Sequence, residues 1–332
     1  MKPFADKNKQ IDILKSRDLT FLDENKAKRV LMRYGYYEVV NGYKMFLLEE
    51  DSTKERYKSG ATFEHLTSLY ELDKSIRNGV IQASLEIELS LRTAIAYTLA
   101  EDFGVEQRQY LHYQNFRQGY TTWSNGHPTN ERAILLDKLN HILTRNIEPL
   151  NHYRSNHGHI PPWILLKETT FGNLKYIFKL LKGPQKDKVI SICYGIDISD
   201  VTDDFKSLFK DTLSVVNSFR NRAAHSGRIF NFKSTIHQIG YNKTFHNEIK
   251  ITPAQYRRGL GQSDLYTLSK ILSYFENVSS LKKLLNKILF RNYIFMGIKK
   301  GRNLNKKLLD RMGSSYYPNW KKILSKNIKY IL

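Results

Sequence analysis

Residues 203–224 read DDFKSLFKDTLSVVNSFRNRAA. Phe205, Leu208, Phe209, Leu213, Val216, Phe219 and Ala223 fall at offsets 0, 3, 4, 8, 11, 14 and 18, one apolar stripe on a helix of 3.6 residues per turn. Asp203 and Asp204 complement the positive end of such a helix, and Ser226-Gly227 supply its stop. An amphipathic helix of this length needs other helices against its stripe, so the stretch points to an all-α protein.

The flanking sequence carries the same period. Helices are predicted from Phe63 to Ala83 and from Leu85 to Ala100, the second with a stripe of Leu85, Leu89, Ile95, Ala96 and Leu99, an i, i+4 pair of Glu88 with Arg92, and a stop at Gly104. Further helical stretches fit Asn130 to Asn146, Trp163 to Leu181 after the Ile160-Pro161-Pro162 loop, and Asp264 to Arg291 with an internal break. Few segments alternate with a period of two. Tyr34 to Leu48, with Asn41-Gly42 inside it, reads either as a short hairpin or as an irregular loop packed by its tyrosines.

The chain has 332 residues, 41% hydrophobic and 26% charged, which is ample for a packed core and excludes disorder as its main state. No run approaches the roughly 18 apolar residues needed to cross a bilayer, and residues 1–20 lack the apolar core of a signal peptide. A cytoplasmic protein is the expectation. A single cysteine, Cys193, forms no internal disulfide and no thiolate cluster, and is expected as a small buried apolar residue.

Lys+Arg 53 against Asp+Glu 32 leaves a formal charge of +21, an excess that attracts polyanions. Residues 281–332 hold 14 Lys/Arg and the single acid Asp310, a net of +13, which leaves +8 for the preceding 280 residues. This tail interleaves cations with rings, as in Arg291-Asn292-Tyr293-Ile294-Phe295 and Tyr316-Tyr317-Pro318-Asn319-Trp320-Lys321-Lys322. Cations release counterions from a phosphate backbone and rings stack on unpaired bases, so RNA contact is expected at Arg291, Lys299, Lys300, Arg302, Lys306, Lys307, Lys321 and Lys322, joined by Arg222 and Arg228. A solvated amphipathic subdomain is the plain alternative, and a membrane surface is the weaker rival for the same charges.

The helix of residues 203–224 runs into Phe219-Arg220-Asn221-Arg222-Ala223-Ala224-His225-Ser226-Gly227-Arg228. Arg220, Asn221 and His225 combine a fixed cation, an amide and a titratable imidazole, groups that suit RNA cleavage without a metal. Five residues at 100° each put Arg220 and His225 about 140° apart on an ideal helix. Either the helix frays near Ala224 and lets His225 swing back, or a working site is assembled from two copies, which predicts an isologous homodimer along this helix. A cationic helix end favoured by the macrodipole explains the same residues without catalysis.

With these residues in view, the chain resembles the Abi family of bacterial abortive-infection proteins, of the AbiD and AbiF types, with a HEPN-superfamily core. Tyr34-Gly35-Tyr36-Tyr37 with Asn41-Gly42-Tyr43 is similar to the family's G-Y-Y…G-Y element, and Gly60 to Asp73 (GATFEHLTSLYELD) to the helix entry after it. Glu86 to Thr93 (EIELSLRT) resembles the E-x-E…L-R-T helix, Pro161-Pro162-Trp163 with Glu168 and Phe171-Gly172-Asn173-Leu174 the P-x-W…E…F-G-x-L block, and Arg220-Asn221-x3-His225 the R-N-x3-H signature. The five blocks stand in order over roughly residues 10–232. Ala223-Ala224 departs from the Cys-Ala that many members carry before the His.

The resemblance implies a HEPN-type helical bundle; the chain is read as an N-terminal element at 1–60, this core at 61–232 and a basic, mainly helical region at 233–332 that matches none of the family's motifs. It implies a metal-independent endoribonuclease in phage defence, with Arg220 and His225 catalytic, Asn221 orienting or polarising, 2′,3′-cyclic phosphate products and facing R-x4-H motifs in a homodimer. AbiF-like members are associated with a structured noncoding RNA. The alternative is a noncatalytic HEPN module that dimerises or sequesters an RNA or protein partner. No cofactor and no metal is implied: Gly259-x-Gly261 lacks the context of a dinucleotide site, and His152, His157 and His159 lack acids or thiols at ligand spacing. Glu86 and Glu88 either position a catalytic Arg or serve in helix-surface and interhelix ion pairs, and the structural role is the expectation.

Overall fold

The computed structural model describes residues 4–50, 54–124, 126–275 and 278–313, together with Trp320 and Leu324. The described chain is predominantly helical, with one small two-stranded sheet, so the all-α expectation holds. It forms two units, one from Met1–Val80 and Asn221–Phe230, the other from Ile81–Arg220 and Asn231–Leu332.

In the first unit, α1 (Lys7–Lys15) and α2 (Glu24–Tyr34) are each started by an aspartate that accepts a backbone amide, Asp6 from Lys9 and Asp23 from Lys26. Between Tyr34 and Leu48 the chain makes no hairpin; Tyr34 and Tyr43 pack against Tyr70, as the tyrosine-packed alternative expected, but in short helical turns rather than an irregular loop. The stretch forms a short π turn, Tyr37–Asn41, and a 3₁₀ turn, Lys44–Phe46. Val39, Val40 and Tyr43 are buried by them, which draws the tyrosine-rich stretch into local helical turns instead of a ladder. The long helix α3 (Phe63–Phe103) begins in this unit.

Where two helices were expected, α3 is continuous through Ser84, whose hydroxyl bonds back to the Ile81 carbonyl, and it stops at Gly104 with φ +95°. Its buried positions Ile76, Val80, Ala83, Ile87, Leu91, Ile95 and Leu99 keep one phase throughout. That phase turns Leu85 and Leu89 to solvent, against the predicted stripe, while Ile95, Ala96 and Leu99 are buried as expected. Leu85, Leu89, Thr93 and Tyr97 thus share an exposed face at i, i+4 spacing. Glu88 pairs with Arg92 at 2.6 Å, and Glu86 accepts the Ser280 hydroxyl.

The second unit continues with β1 (Thr121–Ser124) paired antiparallel to β2 (His127–Asn130), an unpredicted hairpin, and then α4 (Glu131–Leu143) and α5 (Leu150–His157). The stretch expected as one helix from Trp163 is broken into Pro162–Leu165, a 3₁₀ turn at Leu166–Glu168 and α6 (Phe171–Leu180), because Thr169 and Thr170 take extended geometry and Thr170 caps the new helix. α7 (Gly183–Tyr194) holds Cys193, buried, its thiol pushed up to about 12 by loss of water despite a hydrogen bond with Ser90.

α8 (Asp203–Ala224) has the predicted bounds. Leu208, Phe209, Leu213, Val216, Phe219 and Ala223 of its stripe are buried, with Val215 and Thr212 widening the face. Phe209 sits in an aromatic cluster, 4.8 Å from Phe178 and 5.1 Å from Tyr194 between ring centres, with Phe275 closing it. The predicted break after Asp264 falls between α9 (Leu265–Leu272) and α10 (Ser280–Arg311). Among the described residues no helix is long and apolar enough to cross a membrane.

Candidate active site

The last turn of α8 ends in a complete Schellman cap. The His225 amide still donates to the Asn221 carbonyl at 3.1 Å, so the helical ladder runs through His225 and does not fray at Ala224. Ser226 donates to the Ala223 carbonyl and Gly227 to the Arg222 carbonyl, the two bonds that close the motif. The left-handed residue is Ser226, with φ +59°, and not the glycine beside it. Gly227 lies under the exposed side chain of Arg222, which folds over the turn and reaches the Arg228 carbonyl; a Cβ there would stand 2.5 Å from its Nε and make that side chain shift.

This cap leaves His225 exposed at the helix end, with Asn221 and Arg222 exposed and Arg220 half-buried one turn earlier. Because the ladder from Asn221 to His225 is regular, the fraying that would let His225 swing back does not occur. Arg228 points inward: its guanidinium donates to the Gly42 carbonyl and lies 5.6 Å from the Phe46 ring centre.

Behind the turn stands a residue that the sequence alone did not single out. Asp73 is wholly buried and accepts four hydrogen bonds: from the amides of Ile229 at 2.9 Å and Phe230 at 2.7 Å, from the Tyr43 hydroxyl at 2.8 Å and from the Arg77 guanidinium at 2.6 Å. Burial and the Asp73 charge push the Tyr43 hydroxyl far above its ordinary range, so it stays a donor. One carboxylate thereby ties the segment leaving the cap to α3 and to the Tyr43 turn.

Six of the predicted cations of the tail lie on α10. Gly297, with φ 72° and ψ 168°, breaks this helix into two arms. Gly301 meets the Asn292 carbonyl so closely that a Cβ would lie 2.7 Å from it. Asn305, fully buried, bonds to Asn292 and to the Leu289 carbonyl and fastens the arms together. Arg291, Lys299, Lys300, Arg302, Lys306 and Lys307 are all exposed on this hairpin, as are Ile294, Phe295, Met296 and Ile298 at its turn. Lys321 and Lys322 lie outside the described residues, as does Tyr316-Tyr317-Pro318-Asn319.

A second group of cations went unnoticed in the sequence because its members are scattered along it. Lys186 of α7, half-buried, is lowered to about 8, first by loss of water and then by the charges of Arg117, Lys210 and Lys206. His152 and His157 meet edge to face along α5, with His159 just beyond it, and no group of three or more metal-ligating side chains occurs among the described residues.

The sequence model of the Abi-like protein family matches residues 29–231. That span contains the Tyr43 turn, Asp73 and the whole of the capped motif from Arg220 to Arg228. Neither the curated proteins nor the solved structures give a match.

Proposed function

The chain belongs to the Abi-like protein family, whose family-level role is abortive infection in defence against phage, and from that membership we propose that it is a metal-independent endoribonuclease with a HEPN-type core. The observation that carries the reading is His225, exposed and held at the end of a helix by a cap that its own motif supplies. A neutral imidazole takes the proton of a ribose 2′-hydroxyl as the 2′-oxygen bonds to phosphorus. The imidazolium then gives that proton to the departing 5′-oxygen, leaving a 2′,3′-cyclic phosphate and a 5′-hydroxyl. Arg220 neutralises charge building on the phosphoryl oxygens, and Asn221 orients the group through its amide.

The offset of about 140° that an ideal helix gives Arg220 and His225 supports a site completed by a second copy, with Arg220 of one chain serving His225 of the other. The exposed face of Leu85, Leu89 and Tyr97 also suits a homodimer, since three large apolar side chains on one helix face are otherwise left in water. The exposed cations of α10 supply grip on RNA, whether substrate or a structured noncoding RNA.

Purified wild-type and His225→Ala protein are incubated with single-stranded RNA in excess EDTA, and the new ends are identified. Cyclic-phosphate ends from the wild type alone, with RNA affinity and fold retained in the variant, are the expected result. Intact RNA in both samples, with or without a phage trigger, overturns the nuclease and leaves a noncatalytic RNA-binding or dimerisation module.

A further inference from the structure

Within the second unit, an open cleft of about 460 Å³ lies among the start of the β hairpin, α4 and α6. Its walls carry Tyr120, 77% exposed, and Tyr176, 44% exposed, with the ammonium of Lys179 at 5.0 Å and 5.7 Å from their ring centres. Glu131 is the acid of the cleft, and its charge is already met. It accepts from Lys179 and from the Tyr120 amide, and although partial burial pushes its carboxyl up, these partners hold it below the usual range.

Besides the Thr121 and Thr122 hydroxyls, the same cleft holds an uncommitted cation and an uncommitted amide. Lys138 is exposed and makes no ion pair or hydrogen bond among the described residues. The side-chain amide of Asn173 makes none either among the described residues, since the bond to Thr170 comes from its backbone. Ring faces, an amide that both donates and accepts, and a cation without a counter-charge together match a planar heteroaromatic base attached to a phosphate. A cationic ligand is disfavoured by Lys138 and Lys179, and a purely apolar one would leave Asn173 unpaired.

We propose that this cleft receives one unstacked nucleotide of single-stranded RNA, its base against Tyr120 and Tyr176, its edge read by Asn173 and its phosphate met by Lys138. The proposal rests on the RNA reading above and adds a second contact, on the helical core, to the cations of α10. It also assigns a base-contacting role that the charge distribution alone does not reveal.

The probe is a fluorescein-labelled 12-mer of 2′-O-methyluridine, which cannot be cleaved through its 2′-oxygen, followed by anisotropy at 50 mM salt, with a 4-thio version of the same 2′-O-methyl oligomer for crosslinking and peptide mapping. Tyr176→Ala and Lys138→Ala should each weaken binding about tenfold, Tyr176→Phe should bind as the wild type does, and crosslinks should map to Tyr120 or Tyr176. Both tyrosine and lysine side chains are solvent-facing, and circular dichroism verifies that the variants fold. Wild-type affinity in both Ala variants with crosslinks elsewhere overturns the cleft while leaving the RNA reading intact. No binding by the wild type overturns both.

Discussion

The carboxylate of Asp73 accepts the backbone amide of Phe230 at 2.7 Å across 157 residues of chain, with no water-exposed surface of its own. The second oxygen holds Arg77, also buried, and the Tyr43 hydroxyl. Replacing Asp73 by Ala strands a guanidinium, a hydroxyl and two amides in the interior. The expected loss is about 3–5 kcal/mol, read as a lower urea midpoint, and cleavage should fall with it because the segment beyond His225 loses its anchor. A midpoint within experimental error of the wild type would remove Asp73 from this role.

Ser226 occupies the left-handed position of the cap, a conformation that costs a side chain with a Cβ about 1–2 kcal/mol and a glycine almost nothing. Ser226→Gly should therefore raise stability by roughly 0.5–1 kcal/mol after the glycine's extra chain entropy is subtracted. Ser226→Val should lower stability and displace His225. Thermal melts of the two variants give the comparison, and a Gly variant less stable than the wild type would contradict the cap geometry.

Lys186 titrates near 8 in the folded protein against an ordinary 10.5. Between those values the unfolded chain keeps a proton that the folded chain has released, so this group makes stability rise with pH across the window, and its penalty is fully present below pH 8. Lys186→Met should stabilise the protein at pH 7 by on the order of 1 kcal/mol and by progressively less as pH approaches 10. Unfolding midpoints at pH 7 and 9.5 test the sign, and competitive acetylation should find Lys186 half-deprotonated near pH 8.

On α10, Lys299, Lys300 and Arg302 are exposed on both sides of Gly301. If each neutralises one phosphate of a single strand, replacing all three by Ala should flatten the plot of log affinity against log salt by about 2. An unchanged slope with reduced affinity would mean that the three residues act through structure and not through counterion release.

The legible parts of this sequence were those whose signal is local. α8 could be bounded because its stripe repeats for 22 residues between two aspartates and a turn. The phase of α3 was lost because a second helix was started at Leu85, whereas the burial period set at Ile76 runs on and places Leu85 and Leu89 outside. The hairpin of Thr121–Ser124 and His127–Asn130 went unseen because its strands show no apolar alternation and are joined by backbone pairing. The end of α8 was located correctly at Ser226-Gly227, while the share of the two residues in the cap, with Ser226 in the left-handed position, shows only in the structure. Asp73 and the cleft were invisible for a different reason: their partners are assembled from distant segments, as when Tyr120, Lys138 and Tyr176 meet across three elements.

Cys193 turns this architecture into its own stopwatch. The chain's only thiol is buried on α7 with its proton held tightly, so a thiol-reactive dye has nothing to attack until the surrounding helices part. The rate of dye uptake in native buffer thus counts openings of that one region, without a label or an added residue. Binding of RNA to the second unit would register as a slower clock.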